Sequence, residues 1–347
     1  MSMNTEQDES KLTQLQLALA YSSPMYNLMM RMRGWLFLNF LATQCSYAQI
    51  APIRDLNPIL IGFELPPNLA TQSSKQPTKQ ISINATVGNI SLNQIAHNEH
   101  LQLDAEVQQW QFSWTQPLPH SLSLQLNLPY VRISGGSLDS FIENWHRTFG
   151  LPNGNRDHWP QNRLLINYDR NALPKLSLTS PQQHLGDPSL RLGWHLNTQT
   201  THSESLWLSL KLPVGDALNF TGSGSTDLAL SFAASQQLGA RLQTYQQLSA
   251  IHLGTGKRLA TQQRSQAYSG QAGLNWQLTA HWQAIAQLDA HTAVYDSDIR
   301  ALGNALQLSF GPGYQGTYWQ SALLISEDIA VDTAPDVQMQ LNLTRRY

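Results

Sequence analysis

The chain has 347 residues, of which 41% are hydrophobic and only 13% are charged, whereas an ordinary soluble domain carries roughly 25% charged residues. The mean hydropathy is nonetheless -0.32, so the sequence must be rich in uncharged polar residues. The net charge is -2, and the sequence has neither a basic tract nor a nucleic-acid-binding motif, which excludes a nucleic-acid partner.

Residues 1–48 have the features of a secretory signal peptide. Arg31 and Arg33 form a positive stretch, a short apolar stretch follows, and residues 46–48 place small side chains where a signal peptidase reads them. We therefore predict cleavage after Ala48. Residues 1–28 exceed what such a signal needs, and we interpret them as an extension that need not be translated.

Residues 49–80 form an irregular lead segment. Its five prolines, Pro52, Pro58, Pro66, Pro67 and Pro77, interrupt any regular element. We expect this segment either on the periplasmic side or inside the mouth of the barrel that the following residues predict.

Apolar and polar residues alternate from residue 81 onward. Leu124 and Leu126, for example, are separated by Gln125. Successive side chains of a strand face opposite sides of a sheet, so each such segment has one apolar face and one polar face. In the second segment the alternation slips by one residue, which predicts a bulge near Gln109. The pattern predicts strands at residues 81–87, 101–107, 122–128, 190–196, 206–212, 228–234, 241–253, 272–278, 282–290, 306–310, 318–325 and 337–343.

The predicted connections alternate in length. Short turns fall near Pro117, Thr200, Gly239, Thr279 and Gln315, and longer polar links fall at residues 93–99, 135–186, 215–224, 255–267, 297–303 and 328–335. This segregation is typical of bacterial outer-membrane barrels, and a soluble β-sandwich has no reason to show it. We therefore predict an all-β fold, a closed transmembrane antiparallel β-barrel of about 12 strands over residues 81–347. Outer-membrane lipid and lipopolysaccharide would surround it.

The last predicted strand ends in an aromatic residue. Alternate residues from Val337 to Leu343 share one apolar face, and Tyr347 ends the chain on that face. A terminal aromatic residue of this kind resembles the signal that the barrel-assembly machinery reads during insertion. Arg345 departs from the usual pattern, but an arginine close to the membrane edge costs little. We expect Tyr347 to act as the insertion signal.

Several stretches resemble a known family. They are NPILIGFELPP, LDSFIENWHRTFGLPNGNRD, LGDPSLRLGW, LKLPVGD and GSGSTDLALSFAASQQLG. They resemble a proteobacterial family known only as a domain of unknown function (family three-one-eight-seven). GDPSLRLGW followed by LPVG is also similar to the outer-membrane transporters named after the phenol-degradation meta-pathway protein. Both resemblances imply a membrane β-barrel, and neither supplies a catalytic motif or a substrate.

The link at residues 135–186 contains a predicted helix. Ser137 is a suitable N-cap, apolar residues from Leu138 to Phe149 recur at helical spacing, and Gly150 would end the helix. This helix either packs on the barrel rim or acts as a lid that contacts a solute. The candidate lid residues are Phe141, Trp145, His146, Arg156, Asp157 and His158.

Several ionisable residues fall on the predicted lumen faces. Charges are tolerated there because lipid contacts only the other face. They would either form salt bridges that lock a narrow barrel or line a polar pathway with charge selectivity. These residues are Asp104, Glu106, Arg191, His195, Lys211, Asp227 and Asp289.

The sequence favours a narrow channel, or a solute-binding and transport barrel, for an unidentified small molecule. A lipid-acting outer-membrane enzyme and a structural barrel without transport are the alternatives. The 11 histidines are scattered without ligand spacing, and the glycine-rich stretches lack the spacing of a phosphate loop. We therefore expect no metal and no cofactor, and we assign no catalytic residue.

Overall fold

A computed structural model of the chain describes residues 52–67, 69, 78–150, 159–330, 333–335 and 337–347. The predicted signal peptide and the candidate lid residues Arg156, Asp157 and His158 lie outside the described residues, as does the side chain of His146. Within the described part, no helix has both the length and the apolar character that a membrane span requires.

The described residues form antiparallel strands and one α-helix. The helix is α1 (Asp139–Phe149). The strands are β1 (Gln80–Ala96), β2 (Glu99–Leu118), β3 (Leu122–Ser134), β4 (Leu165–Arg170), β5 (Leu173–Leu178), β6 (Gln182–Leu185), β7 (Ser189–Thr198), β8 (His202–Lys211), β9 (Asp227–Leu238), β10 (Leu242–His252), β11 (Gln266–Gln277), β12 (Trp282–His291), β13 (Ala305–Gln315), β14 (Trp319–Asp328) and β15 (Val337–Arg346).

All strands except β4, β5 and β6 form a closed wall. β1 pairs with β2 and β15, β2 pairs with β3, and β3 pairs with β7. From β7 to β15 each strand pairs with the next along the chain. The prediction of a closed antiparallel barrel is confirmed, and its wall has 12 strands.

β4, β5 and β6 lie within residues 135–186, where the sequence predicts no strand. β4 pairs with the outer end of β2 and with β5, which lengthens the wall at that point. β6 pairs with β3 beside Tyr130 to Ile133, in line with β7. These additions raise one side of the barrel above the rest.

The connections identify the two ends of the barrel. The turns that leave β2, β7, β9, β11 and β13 are short, and the start of β1 and the end of β15 lie at the same end. Short turns face the periplasm in bacterial barrels, so the opposite end is extracellular. The long link predicted at residues 93–99 is wrong, because β1 and β2 continue through it and only His97 and Asn98 join them.

Over most of its height the wall is apolar outside and polar inside. Leu190, Leu208 and Leu230 point outward and are exposed, whereas Arg191 and Ser209 point inward and are buried. Closure gives every wall strand a partner on both sides, so lipid meets no unpaired sheet edge. The exposed apolar band is the surface that a membrane covers, and the protein is an outer-membrane β-barrel.

This polarity inverts towards the extracellular end of β1, β2 and β3. On β2, Trp110 and Phe112 point outward, whereas Leu101 and Leu103, higher on the same strand, point inward and are buried. Pairing with β1 is continuous from Glu99 to Thr115 of β2, so the bulge predicted near Gln109 is wrong. The apolar side chains change face because the interior changes from polar to apolar at this level.

The lead segment lies inside the barrel and supplies that apolar interior. Leu56, Ile59, Leu60 and Phe63 are buried in one core with inward-facing residues of the wall. Burying one such side chain stabilises by about 1.5–3 kcal/mol. We call residues 52–67 together with Leu69 the plug. Its interior position is one of the two that the sequence left open.

Candidate functional site: the plugged lumen

The plug forms a salt bridge with the wall through Arg191. This side chain projects inward from β7, and its Nη2 lies 3.0 Å from Oε1 of Glu64. Arg191 also donates a hydrogen bond to Gln125 of β3. Both members of the salt bridge are almost fully buried, so each is the main compensation for the desolvated charge of the other.

Lys211 forms the centre of a second charged cluster. Its Nζ lies 2.9 Å from Oδ2 of Asp187 and 3.0 Å from Oδ2 of Asp227. The same ammonium donates to the carbonyl oxygen of Gly62 at 2.8 Å and to Ser223. A buried ammonium retains its charge only where carboxylates and carbonyls replace water, and here a plug carbonyl is one of those groups.

Asp227 connects the second cluster to the plug backbone. Its Oδ2 accepts the backbone N–H of Glu64 at 3.0 Å, while its Oδ1 accepts the hydroxyl of Ser225 at 3.0 Å. Asp227, Lys211 and Arg191 all face the lumen, as the alternation predicts. In this conformation they bind the plug and its neighbours instead of lining open water.

Gly62 is required where the turn of the plug meets the connection between β8 and β9. A Cβ at this position would lie 2.4 Å from the carbonyl carbon of Gly222 and 2.4 Å from the backbone nitrogen of Ser223. Backbone atoms cannot yield as a flexible side chain can. Any larger residue would therefore push the plug turn away from its seat.

Further side chains hold the plug along its length. Nε2 of His291 lies 3.0 Å from Oδ2 of Asp55, and Arg258 donates to the carbonyl of Ile59 at 3.3 Å. Lower down, the hydroxyl of Tyr245 donates to the carbonyl of Leu69 at 3.0 Å. The described plug residues belong to no strand. The plug is therefore held by side-chain contacts that can break while the barrel wall stays paired.

Below the plug, the lumen is lined largely by amides and hydroxyls. Asn275, Gln283, Gln315, Gln340 and Asn342 face inward and are buried. Each has an amide atom without a hydrogen-bond partner among the described protein groups. Buried amides require partners, so these side chains hold hydrogen-bonding capacity inside the lumen that the described residues do not use. The lower lumen therefore presents a polar surface with little charge.

Asp289 lies where the plug meets this amide-lined region. It faces inward from β12, and Nε2 of Gln287 donates to its two carboxylate oxygens at 2.8 and 2.9 Å. A small cavity beside it is also lined by Arg54 and Pro66 of the plug. Asp289 is thus the carboxylate of the predicted set that lies between the plug and the amide-lined region.

His195 forms a hydrogen-bonded pair with a serine. Its Nε2 lies 2.9 Å from Oγ of Ser123, and its ring meets Trp207 edge to face at 5.8 Å. Nδ1 of His195 has no hydrogen-bond partner among the described residues, so this pair lacks the carboxylate that orients the histidine of a hydrolytic triad. No cluster of His, Cys, Asp and Glu in the described part could hold a metal ion.

Asp104 and Glu106 do not face the lumen, which corrects their predicted position. They pair with Ser91 and Asn89 in the continuous register of β1 and β2, and that face points outward. Asp104 forms a salt bridge with Arg163, whose Nε lies 2.7 Å from Oδ2. Both carboxylates are buried from outside, beneath the chain that follows β3.

Helix α1 lies against the outer wall and does not cross the barrel mouth. Backbone N–H groups at its start, those of Ser137 and Leu138, donate to Oε2 of the outward-facing Glu106 at 2.9 and 3.2 Å. Trp145 donates to Glu327 on β14 at 3.2 Å. This position corrects the interpretation of Phe141 and Trp145 as lid residues above the lumen.

A buried hydrogen-bond network closes the extracellular end. Tyr168 of β4 donates to Oε1 of Glu99 at 2.6 Å, and Ser297 donates to Oε2 at 2.8 Å. Gln262 donates to the hydroxyl of Tyr168 at 2.7 Å. Burial and then the hydrogen bond to Glu99 raise the pKa of Tyr168 to about 12, so the phenol remains a neutral donor. The network joins the wall to the loops after β10 and β12.

Residues 41–347 match the family described as "Protein of unknown function (DUF3187)". The chain belongs to the DUF3187 family. No curated protein matches its sequence.

Solved structures share the fold of this DUF3187 barrel. The COG4313 outer membrane channel from Pseudomonas putida F1 is 15% identical, with a TM-score of 0.54 over 81% of this chain and 99% of that chain. The NanC porin is 6% identical, with a TM-score of 0.42 over 77% of this chain and 100% of that chain. The toluene transporter TbuX of Ralstonia pickettii is 9% identical, with a TM-score of 0.38 over 78% and 90% of the two chains. The similarity to the COG4313 channel extends to the fold and leaves the solute open.

The residues of the DUF3187 barrel that sequence reasoning missed are those of the plug and its seat. Glu64, Gly62 and Asp187 lie outside every alternating segment, so no periodicity marked them. The available signal was the run NPILIGFELPP, in which a glycine and a glutamate interrupt apolar residues. Such a run needs a buried partner surface, and the barrel interior provides it.

Proposed function

We propose that the DUF3187 barrel is a narrow outer-membrane channel for small polar solutes and that the plug is its gate. The observation that carries the proposal is that the described residues of the segment closing the lumen make no backbone-to-backbone hydrogen bond with the wall. A lumen sealed for purely structural reasons needs no removable element. Here the closing element can leave without breaking one strand pair of the wall.

The chemistry of the lower lumen supports a polar solute. Its amide and hydroxyl side chains can donate to and accept from hydroxyl, carbonyl and amino groups, and they bring few fixed charges. A barrel of this strand number encloses a small passage, well short of a wide porin lumen. Both features favour small hydrogen-bonding molecules over large or strongly charged ones.

The two alternatives have weaker support. In a purely structural barrel the lumen amides would be expected to hydrogen-bond with one another. Here several of them have an amide atom without a partner among the described residues. A lipid-acting enzyme needs a nucleophile that reaches lipid, whereas the Ser123 and His195 pair is buried in the lumen and lacks an orienting carboxylate. We therefore propose no catalytic residue.

A substitution at Gly62 tests the gate. We expect Gly62→Ala to displace the plug turn, because its Cβ would meet backbone atoms at 2.4 Å. Proteoliposomes that carry this variant should swell several-fold faster in a pentose than those that carry the wild type. A trisaccharide should remain excluded, because the wall itself is unchanged.

Gly270→Ala is the matched control. A Cβ at Gly270 would come no closer than 3.4 Å to a neighbouring atom, and the residue lies in the wall strand β11. This variant should swell at the wild-type rate. The proposal is wrong if folded Gly62→Ala barrels admit the pentose no faster than Gly270→Ala barrels.

A further inference from the structure

Helix α1 follows one polar row across the outer wall. Glu106 on β2 pairs with Asn89 on β1, Asn89 pairs with Val337 on β15, and Val337 pairs with Glu327 on β14. Directly paired residues share a face, so these side chains form one outward row across neighbouring strands. Asn89 donates to Oδ1 of Asp139 at 2.9 Å, which seats the first turn of α1 on the middle of the row.

On β1, β15 and β14 the rows beneath α1 are apolar and belong to the lipid-facing band. Val87, Met339 and Ile325 form the first row below, and their side chains are half-buried. In the next row, Leu341 and Leu323 are more than half exposed. The helix therefore lies along the upper edge of the band, where a bilayer meets the outer aqueous layer.

The two flanks of α1 differ in chemistry. Ser140 and Glu143 lie on one flank and hydrogen-bond with Gln161, which leads towards the extracellular strand β4. Phe141 and Trp145, four residues apart, lie on the opposite flank, which faces the apolar rows. Their rings stack with centroids 6.2 Å apart, and Phe141 is 44% exposed.

We infer that α1 is an interfacial membrane helix whose Phe141 and Trp145 flank inserts among the acyl chains of the outer leaflet. The partner is lipid because the flank continues a surface that lipid already covers. A stacked pair in which Phe141 is exposed and Trp145 is half-buried gains free energy when its exposed surface leaves water. Tryptophan suits this depth, because its ring is apolar while its N–H here has Glu327 as a partner.

The inference also explains why buried carboxylates are tolerated on the outer wall. Asn89 and Glu106 would face the bilayer edge if α1 were absent. The helix covers this row with the side chain of Ile142 and with the backbone N–H groups at its N-terminal end. The surface that it presents to lipid is its aromatic flank. The helix thus acts as a cover for a polar gap in the lipid-facing surface, independent of whether the lumen conducts.

Spin-label accessibility in phosphatidylcholine vesicles tests this placement. Nitroxides are attached to Phe141→Cys and, on the opposite exposed side of the helix, to Arg147→Cys, both in a Cys45→Ser background. Leu323→Cys is the lipid-exposed reference. We expect the label at position 141 to collide more often with oxygen than with a water-soluble nickel chelate, as at position 323. The label at position 147 should show the reverse preference.

A second labelled position provides a control in case the Phe141→Cys variant does not fold. Thr148→Cys lies on the same side as Phe141, and its hydroxyl contacts only the helix backbone at Asn144. Heat-modifiable gel migration identifies the folded barrels that are measured. The inference is overturned if the labels at positions 141 and 148 prefer the nickel chelate as the label at position 147 does. Loss of solute passage, by contrast, would bear on the gate and not on this helix.

Discussion

Arg191 and Glu64 form a salt bridge across the boundary between wall and plug, so its strength sets how firmly the lumen is closed. Among the described salt bridges these two residues pair only with each other, and the buried Arg54 of the plug acts on both without forming a salt bridge with Glu64. Lys211, in contrast, is shared by two wall-side carboxylates, and it contacts the plug through one hydrogen bond to Gly62 and through the ring of Phe63, whose centroid lies 6.0 Å from Nζ. The salt bridge of Arg191 is therefore the better target for loosening the plug.

Arg191→Gln should open the channel more often. The change removes the salt-bridge partner of the buried Glu64 and leaves the buried Arg54 of the plug as its remaining countercharge. Loss of one partner of a buried pair costs up to about 3–5 kcal/mol, and release of the plug into the aqueous lumen removes that cost. Single-channel recording should show a higher open probability than the wild type. The double variant Glu64→Gln with Arg191→Gln removes both members of the salt bridge and should return towards the wild type. Equal open probabilities for the single and double variants would show that the two residues are not coupled.

Individual lumen residues were predictable only where alternation held. Arg191, His195, Lys211, Asp227 and Asp289 were placed inward because apolar neighbours on both sides fixed the phase of their strands. Glu64 and Gly62 could not be found in this way, because the plug has no period. Their roles follow from long-range contacts that a single sequence does not display.

At the level of strands, the two wrong predictions, a bulge near Gln109 and a loop at residues 93–99, have one cause. The assignment of strand faces from alternation assumes that the inside of the barrel is polar throughout. On β1, β2 and β3 the interior is polar near the periplasm and apolar around the plug, so the apolar side chains change face at constant register. This change was interpreted as a bulge near Gln109 and a loop at residues 93–99. The same inversion on three neighbouring strands is the signal that a plug fills the upper interior.

The last strand carries a further prediction. β15 pairs with β1 up to Arg346, and Tyr347 lies just beyond, where its N–H donates to the carbonyl of Lys79 at 3.0 Å. Deletion of Tyr347 therefore removes no wall pair. We expect the deletion to slow membrane insertion in cells while secretion continues, and Tyr347→Phe to insert normally.

Unboiled gel migration of pulse-labelled protein measures the insertion rate. The folded barrel and the unfolded chain separate on such gels, so the fraction inserted can be followed with time. If the protein without Tyr347 inserts as fast as the Tyr347→Phe protein, the terminal aromatic residue is not the insertion signal.

Taken as one molecule, the barrel has a lumen of two parts in series. The extracellular part is an apolar core built jointly by plug and wall, and its loops are joined through Glu99 and Tyr168. The periplasmic part is polar and lined by amides. A solute can pass only if the apolar core separates, and the contacts that hold it are those of the plug. Gating therefore depends on one segment rather than on a change in the wall.

A reversible cross-link between plug and wall tests this claim most directly. The backbone N–H of Leu69 donates to Oε1 of Gln247 at 2.8 Å, so Leu69→Cys with Gln247→Cys joins the plug to β10. Ser231→Cys with Ser249→Cys joins two wall strands whose hydroxyls lie 2.8 Å apart, and it leaves the plug free. Both pairs are made in the Cys45→Ser background, because Cys45 is the only cysteine of the chain.

The measurement is single-channel conductance in a planar bilayer before and after a reductant is added. We predict that the oxidised Leu69→Cys and Gln247→Cys barrel shows no openings, that reduction restores them, and that the Ser231→Cys and Ser249→Cys barrel opens in both states. Openings of equal frequency in the oxidised and reduced forms of the plug-to-wall pair would contradict the claim that the plug is the gate.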